Sequence, residues 1–181
     1  MGVFLRGALI RLRYYLTSMT LENVHHVVFD RFLKGFSLET LEKHLDGLIE
    51  KMLPYTLYEP AYKELMAAKK RGDYPILLSS SPDFLVRKFA EYFGIEVWEG
   101  TVYDIDKERC LCKIAKLIVG KTKKRCLQEI KKKLGISKEQ IVVYSDSHDD
   151  LPLLMEAGEA VAVNPDRKLA KVAKLFNWRV I

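Results

Sequence analysis

Two short polar clusters in this sequence hold side chains suited to chemistry. One is Ser79-Ser80-Ser81, and the other is Ser145-Asp146-Ser147-His148-Asp149-Asp150. Asp146, Asp149 and Asp150 lie within five residues of one another and would repel if left bare. A hard divalent cation relieves that repulsion. Magnesium in particular takes a few carboxylate oxygens and completes its shell with water and substrate phosphate. The hydroxyl of Ser79 and the backbone N–H of Ser80 are donors of the kind that hold phosphate oxygens. The competing reading of the acidic cluster is plain helix capping by Asp149 or Asp150.

The elements around the clusters decide whether they can act together. Residues 75–79 and 141–144 are short apolar runs bounded by turn residues, the pattern of strands buried on both faces. In an open parallel sheet, ligands bind outside the carboxyl ends of the strands, where both clusters fall. Each cluster also precedes a helical pattern, whose free N–H groups and positive dipole end favour an anion. Ser81 reads as an N-cap, with Pro82 at the first helical position and a helix running to Gly94. Val97–Ile105 alternates loosely as β structure, with a turn at 106–109. A helix is expected over 123–134, a capping box at Ser137 and Gln140, a helix over 151–157, a strand over 160–163, a helix over 166–175 and a last short strand over 178–181. This alternation predicts a parallel α/β sheet.

The first 70 residues read as helical instead. Leu21, Val24, His25, Val28 and Phe32 form a helical stripe ended by Gly35. Ser37 caps a helix in which Leu38, Leu41, Leu45, Leu48, Ile49 and Met52 repeat at helical spacing, and Pro54 stops it. A further helix over 60–70 is closed by Gly72. The basic, apolar N-terminus, broken by Arg6 and Arg11, reads as a helix of the folded protein rather than a signal peptide.

At this point the motifs resemble a known family. Residues 76–86, with Ser79 at the strand end, are similar to the second motif of the haloacid dehalogenase superfamily, in the branch that includes phosphoserine phosphatase. Residues 144–154, with Ala157-Gly158 and Asn164-Pro165-Asp166 behind them, resemble the fourth motif and its following strand. Residues 120–127 resemble the third motif, where a lysine opens a helix; the best register takes Lys123, with Lys121 next. The resemblance implies an α/β fold with a Rossmann-like parallel core over 71–181 and a helical cap region over 1–70. It implies that Ser79 and Ser80 bind the transferring phosphoryl group and that Lys123 neutralises its charge. Asp146 would bind Mg²⁺ directly. Asp150 would hold Lys123 or a metal-bound water, and Asp149 would do likewise. The family's first motif, an Asp-x-Asp that supplies the nucleophile, is not found. Asp30 is the only near match, but Phe32 stands where the second Asp belongs, and residues 24–30 fit a helical stripe better. In the family that first strand lies mid-sheet, so its loss leaves unpaired backbone on both neighbours. A fragment, a late start or a degenerate member repaired by another segment or by a dimer contact all accommodate this.

Composition bounds the function classes. With 49% hydrophobic and 30% charged residues, the chain suits a soluble globular fold. No run approaches the roughly 18 apolar residues of a membrane span. Cys110, Cys112 and Cys126 form neither a CxxC pair nor a disulfide framework, which suggests reduced thiols and a cytosolic setting. Residues 113–133 hold eight Lys and one Arg against one Glu, more positive than the whole chain at +6. That window reads first as a solvated helix face; it lacks the interleaved aromatics of a nucleic-acid binder. The expected function is therefore a magnesium-dependent phosphatase acting on a phosphorylated small molecule. The alternative is a catalytically inactive phosphate- or metal-binding module of the same fold.

Overall fold

The computed structural model of the chain describes residues 20–181. The expected N-terminal helix, and the part of the cap region before residue 20, lie outside the described residues. Helix α1 (Leu21–Val28) begins where the Thr20 hydroxyl accepts a hydrogen bond from the Asn23 N–H. It continues into a π-helical turn, Phe29–Leu33, ended by Gly35 at φ +80°. The wider turn rotates the apolar face by a residue. Phe29, outside the expected stripe, is the buried side chain, and it stacks on Tyr103 at 5.3 Å.

Helix α2 (Leu38–Leu45) is capped by Ser37, as its sequence predicts. The single helix expected through Met52 is instead two. Asp46 turns extended and Gly47 takes φ +71°, which starts α3 (Leu48–Thr56) afresh. Pro54 sits inside α3 rather than stopping it. Helix α4 (Glu59–Arg71) ends at Gly72 in the left-handed conformation, which only glycine adopts cheaply.

The α/β half follows. Strand β1 (Ile76–Pro82) pairs in parallel with β2 (Val97–Ile105), which pairs antiparallel with β3 (Leu111–Lys116). Between β1 and β2 runs helix α5 (Asp83–Phe93), closed by Gly94. Helix α6 (Gly120–Leu134) leads to β4 (Val142–Ser145), a tight 3₁₀ turn at His148–Asp150 and the short α7 (Leu151–Leu154). Then come β5 (Glu159–Ala162), α8 (Arg167–Leu175) and β6 (Arg179–Val180), with β4, β5 and β6 all parallel.

Three expectations need correction here. Ser81 is not an N-cap: the strand runs on to Pro82 through a bulge, and Pro82 itself precedes the helix. Strand β3 lies outside the expected elements, and its antiparallel pairing makes the first sheet mixed. Finally, residues 75–79 and 141–144 do not share one sheet. The order is β1-β2-β3 in one sheet and β4-β5-β6 in another, so β1 and β4 each keep an edge without a ladder partner among the described residues. The two halves meet through side chains instead.

Two cores result. Leu127, Val143, Leu154, Ala162 and Leu169 belong to the core around β4 and β5, and Leu78 of β1 packs against it. The second joins Phe29, Phe84 and Leu111, with Leu38, Leu41 and Leu45 of α2 against them. The helical segment is tied down at its turn as well. Gly35 N–H donates to the Leu111 carbonyl, and Leu111 N–H donates to that of Phe36. Among the described residues, no helix is long and apolar enough to cross a membrane.

Candidate functional site

Lys123 lies in the first turn of α6, and the helix places it because Gly120 allows a close approach. A Cβ at Gly120 would stand 2.8 Å from the Asp149 carbonyl oxygen, so only glycine lets α6 start against the 148–150 turn. Lys123 is 7% exposed. Its Nζ donates to Asp150 Oδ2 at 2.8 Å, and the Ser145 hydroxyl donates to the same oxygen at 2.8 Å. The pair is buried, with side chains 9% and 11% exposed. A buried charge needs such partners, because desolvation alone would cost several kcal/mol. Lys121 is exposed, so the geometry favours Lys123 of the two registers.

The turn carrying Asp150 is held from several sides. Ser147 N–H donates to the Ser145 hydroxyl at 3.2 Å, and Asp149 N–H to that of Ser147 at 3.2 Å. His148 N–H donates to Asp166 at 2.7 Å, while Asp166 N–H donates to the Asp146 carbonyl at 2.9 Å. Asp166 also caps α8 through the N–H groups of Lys168 and Leu169. Burial works to raise the Asp166 carboxyl, but those three backbone donors outweigh it and hold it below the usual value.

The serine cluster is built differently. The Ser79 hydroxyl accepts from the Ser81 N–H at 3.2 Å, inside the bulge of β1. The Thr101 hydroxyl donates to the Ser80 carbonyl at 2.8 Å and accepts from the Ile118 N–H at 3.2 Å. Thr101 is fully buried. It joins the β1 bulge to the segment that enters α6, and so to Lys123. His25 of α1 is also near: burial lowers its pKa first, and the Lys123 charge lowers it further.

Of the predicted site residues, Lys123 and Asp150 come together. No hydrogen bond or ion pair among the described residues joins Ser79, Ser80 or Asp146 to them; Asp146 is exposed. A cavity of about 480 Å³ lies elsewhere, lined by Lys138, Glu159, Phe176 and Trp178 at the amino end of β5. Asp30 is on the π-helical turn, its side chain 61% exposed and 3.7 Å from Lys34, so the strand reading of residues 24–29 does not hold. Sequence reasoning missed Ser145 and Thr101 as positioning residues; Asp166 carried a signal, as a helix N-cap directly after a strand.

The donor set can be tested against magnesium. No three of His, Cys, Asp or Glu gather into a metal-holding group among the described residues. Asp150 is already neutralised by Lys123. Residues 1–19 contain no Asp, Glu, His or Cys at all. The residues do not fit a resident ion.

A mixed α/β molecule with a buried Lys–Asp pair at the carboxyl end of a parallel strand belongs to a recognisable class. The sequence matches the haloacid dehalogenase-like hydrolase family over residues 3–155, and the chain belongs to that family. It is 24% identical over 187 residues to a probable phosphatase of Mycobacterium tuberculosis, covering 99% of this chain and 65% of the relative. It thus spans less than two thirds of that relative's length. Among solved structures it resembles a protein of unknown function from Bordetella pertussis, with TM-score 0.77, 21% identity, and coverage of 97% of this chain and 80% of that one. A probable phosphoserine phosphatase from Vibrio cholerae has TM-score 0.72 at 15% identity, covering 96% of this chain and 50% of that one. These last two likenesses concern the fold.

Proposed function

We propose that the carboxyl end of β4, with the start of α6, is the phosphate-holding half of a phosphomonoesterase site for a phosphorylated small molecule. The observation that carries this is the buried Lys123, aimed by Asp150 and Ser145 at a strand end. In this reading Lys123 offsets the phosphoryl charge, and Ser79 with the Ser80 N–H binds its oxygens. Such fixed charges and donors supply most of the stabilisation in phosphoryl transfer. A magnesium ion brought in with the phosphate would find the exposed carboxylate of Asp146 to hold it, and would supply further neutralisation of the phosphoryl charge. A reducing, cytosolic setting suits the unpaired thiols.

The same residues provide no in-line attack. Several carboxylates ahead of β1 are paired elsewhere: Asp30 with Lys34, Glu39 with Lys43, Glu42 with Arg87, Asp46 with Lys88 and Glu64 with Arg179. The proposal is therefore that this 181-residue chain by itself binds phosphate and turns over little, because covalent catalysis lacks its nucleophile.

The test is an assay of the purified chain with magnesium and an aryl phosphate, beside Asp30→Asn and Asp146→Asn. Turnover at background level, with inorganic phosphate binding lost in Lys123→Ala, is expected. Robust turnover abolished by Asp30→Asn would give Asp30 the nucleophile's part. Turnover that survives Asp30→Asn and dies with Asp146→Asn would mean attack by a metal-activated water. No phosphate binding at all would refute the reading.

A further inference from the structure

The Lys123–Asp150 pair has a consequence for metal binding. We infer that Lys123 is the fixed cation of this site and that, without a phosphorylated ligand, the chain holds no resident divalent ion. The inference rests on reading this edge as the site, but not on turnover.

Four observations carry it. First, the Asp150 oxygen that would face an ion already accepts from the Lys123 ammonium and the Ser145 hydroxyl, both at 2.8 Å. A metal at that oxygen must displace or crowd a buried cation already paired with it. Second, Lys123 is placed by helix α6 itself, whose start against Asp149 is set by Gly120. The Lys123 side chain is only 9% exposed there. Third, Asp146 is exposed and stands in no group of three ligating side chains among the described residues. Divalent oxygen sites owe their affinity to several charged ligands held rigidly, and one exposed carboxylate binds weakly. Fourth, residues 1–19 bring no acid, histidine or cysteine that could complete a ligand set.

Like charges compete for one carboxylate, so lysine and metal are alternatives at Asp150. The site balances its own buried charge, and a divalent ion becomes favourable only when an added phosphate brings further negative charge. This predicts an order of binding, phosphate before or with the metal.

The experiment is calorimetric titration of the full 181-residue chain with MgCl₂ alone, for wild type, Lys123→Met and the double variant Lys123→Met/Asp150→Asn. Wild type should show no saturable binding at about 1 mM, the weak end for oxygen-ligand sites. Lys123→Met frees Asp150 and should bind magnesium at least roughly tenfold tighter. The double variant should lose that gain. Saturable wild-type binding well below 1 mM overturns the inference, as does a Lys123→Met variant that folds by circular dichroism yet binds no better. Should Lys123→Met fail to fold, the wild-type titration decides alone. A second titration with inorganic phosphate already present separates the two proposals. Magnesium that binds only then supports both. Phosphate that never binds refutes the phosphate-site reading while leaving the magnesium result standing.

Discussion

At the scale of single residues, two buried polar groups carry the architecture of the site. Removing one partner of the Lys123–Asp150 pair leaves the other charged, buried and alone. Asp150→Asn or Lys123→Met should each cost about 3–5 kcal/mol in urea unfolding, and the double variant clearly less than the sum. Equal, additive losses would show that the pair is not coupled. Thr101 is a second case. Thr101→Val keeps the shape but strips partners from the Ser80 carbonyl and the Ile118 N–H. A loss of about 1–3 kcal/mol is expected for these two unsatisfied groups, with reduced amide protection at Ile118. His25 gives a pH signature. Its folded pKa lies below the ordinary value, first through burial and then through Lys123. Folding therefore favours neutral imidazole. Its contribution is complete above about pH 6.5, the unfolded value, and is lost as pH falls toward the folded one. His25→Gln should flatten the thermal stability curve between about pH 7 and 5.

At the scale of elements, helix α4 is the piece that touches both halves. Tyr62 packs on Phe93 at 6.1 Å, and Lys69 donates to the Phe93 and Gly94 carbonyls at the end of α5. On the other side Glu64 accepts from Arg179 of β6 and from the Tyr144 hydroxyl of β4. The Arg179 guanidinium holds the Glu64 carboxyl below its ordinary range. A depressed acid stabilises the fold above its unfolded pKa of about 4.3 and loses that contribution as pH falls through the folded value. Glu64→Gln should remove this acid dependence, read as the urea midpoint between about pH 5 and 3. Such an exposed pair contributes no more than about 1 kcal/mol at neutral pH, so the slope with pH is the measurement to make. Helix α6 depends on contact rather than charge. Gly120→Ala drives a methyl toward the Asp149 carbonyl. It should cost about 1–3 kcal/mol through overpacking and move the Lys123 amide resonance more than those near Gly135.

At the scale of the whole molecule, the separation into two sheets governs behaviour. Among the described residues, β1 and β4 each have an edge with no ladder partner, where a continuous sheet would pair it. Native-state hydrogen exchange should therefore be faster at the open-edge amides of β1 and β4 than within β2 and β5, which have neighbours on both sides. Uniform protection across all four strands would mean that something covers those edges. The halves are otherwise joined by packing of Leu78 into the β4–β5 core and by the Thr101 bridge between the β1 bulge and Ile118. The catalytic geometry proposed above depends on that junction, since Ser79 stands on one half and Lys123 and Asp150 on the other.

Much of this was legible in the residue order, for a local reason. Apolar runs, caps and glycines act over a few residues, so the starts of α1, α2 and α4, the strand cores expected at 75–79 and 141–144, and a lysine at the head of α6 could be read from spacing. The choice of Lys123 over Lys121 and the role of Asp150 had stayed open, because they depend on which way a helix turns its side chains toward a strand 20 residues later. Thr101 gave no sequence signal, and Ser145 stood in a polar cluster without its positioning role being readable: a serine or threonine in a strand is ordinary until its partner across the fold is known. Gly47 and the π-helical turn leave no mark in the spacing, because one residue's backbone angle overrides a regular apolar period. The division into two sheets was decided by tertiary structure alone. Strand propensity says where a strand forms, while pairing depends on which other backbone lies alongside to accept its hydrogen bonds.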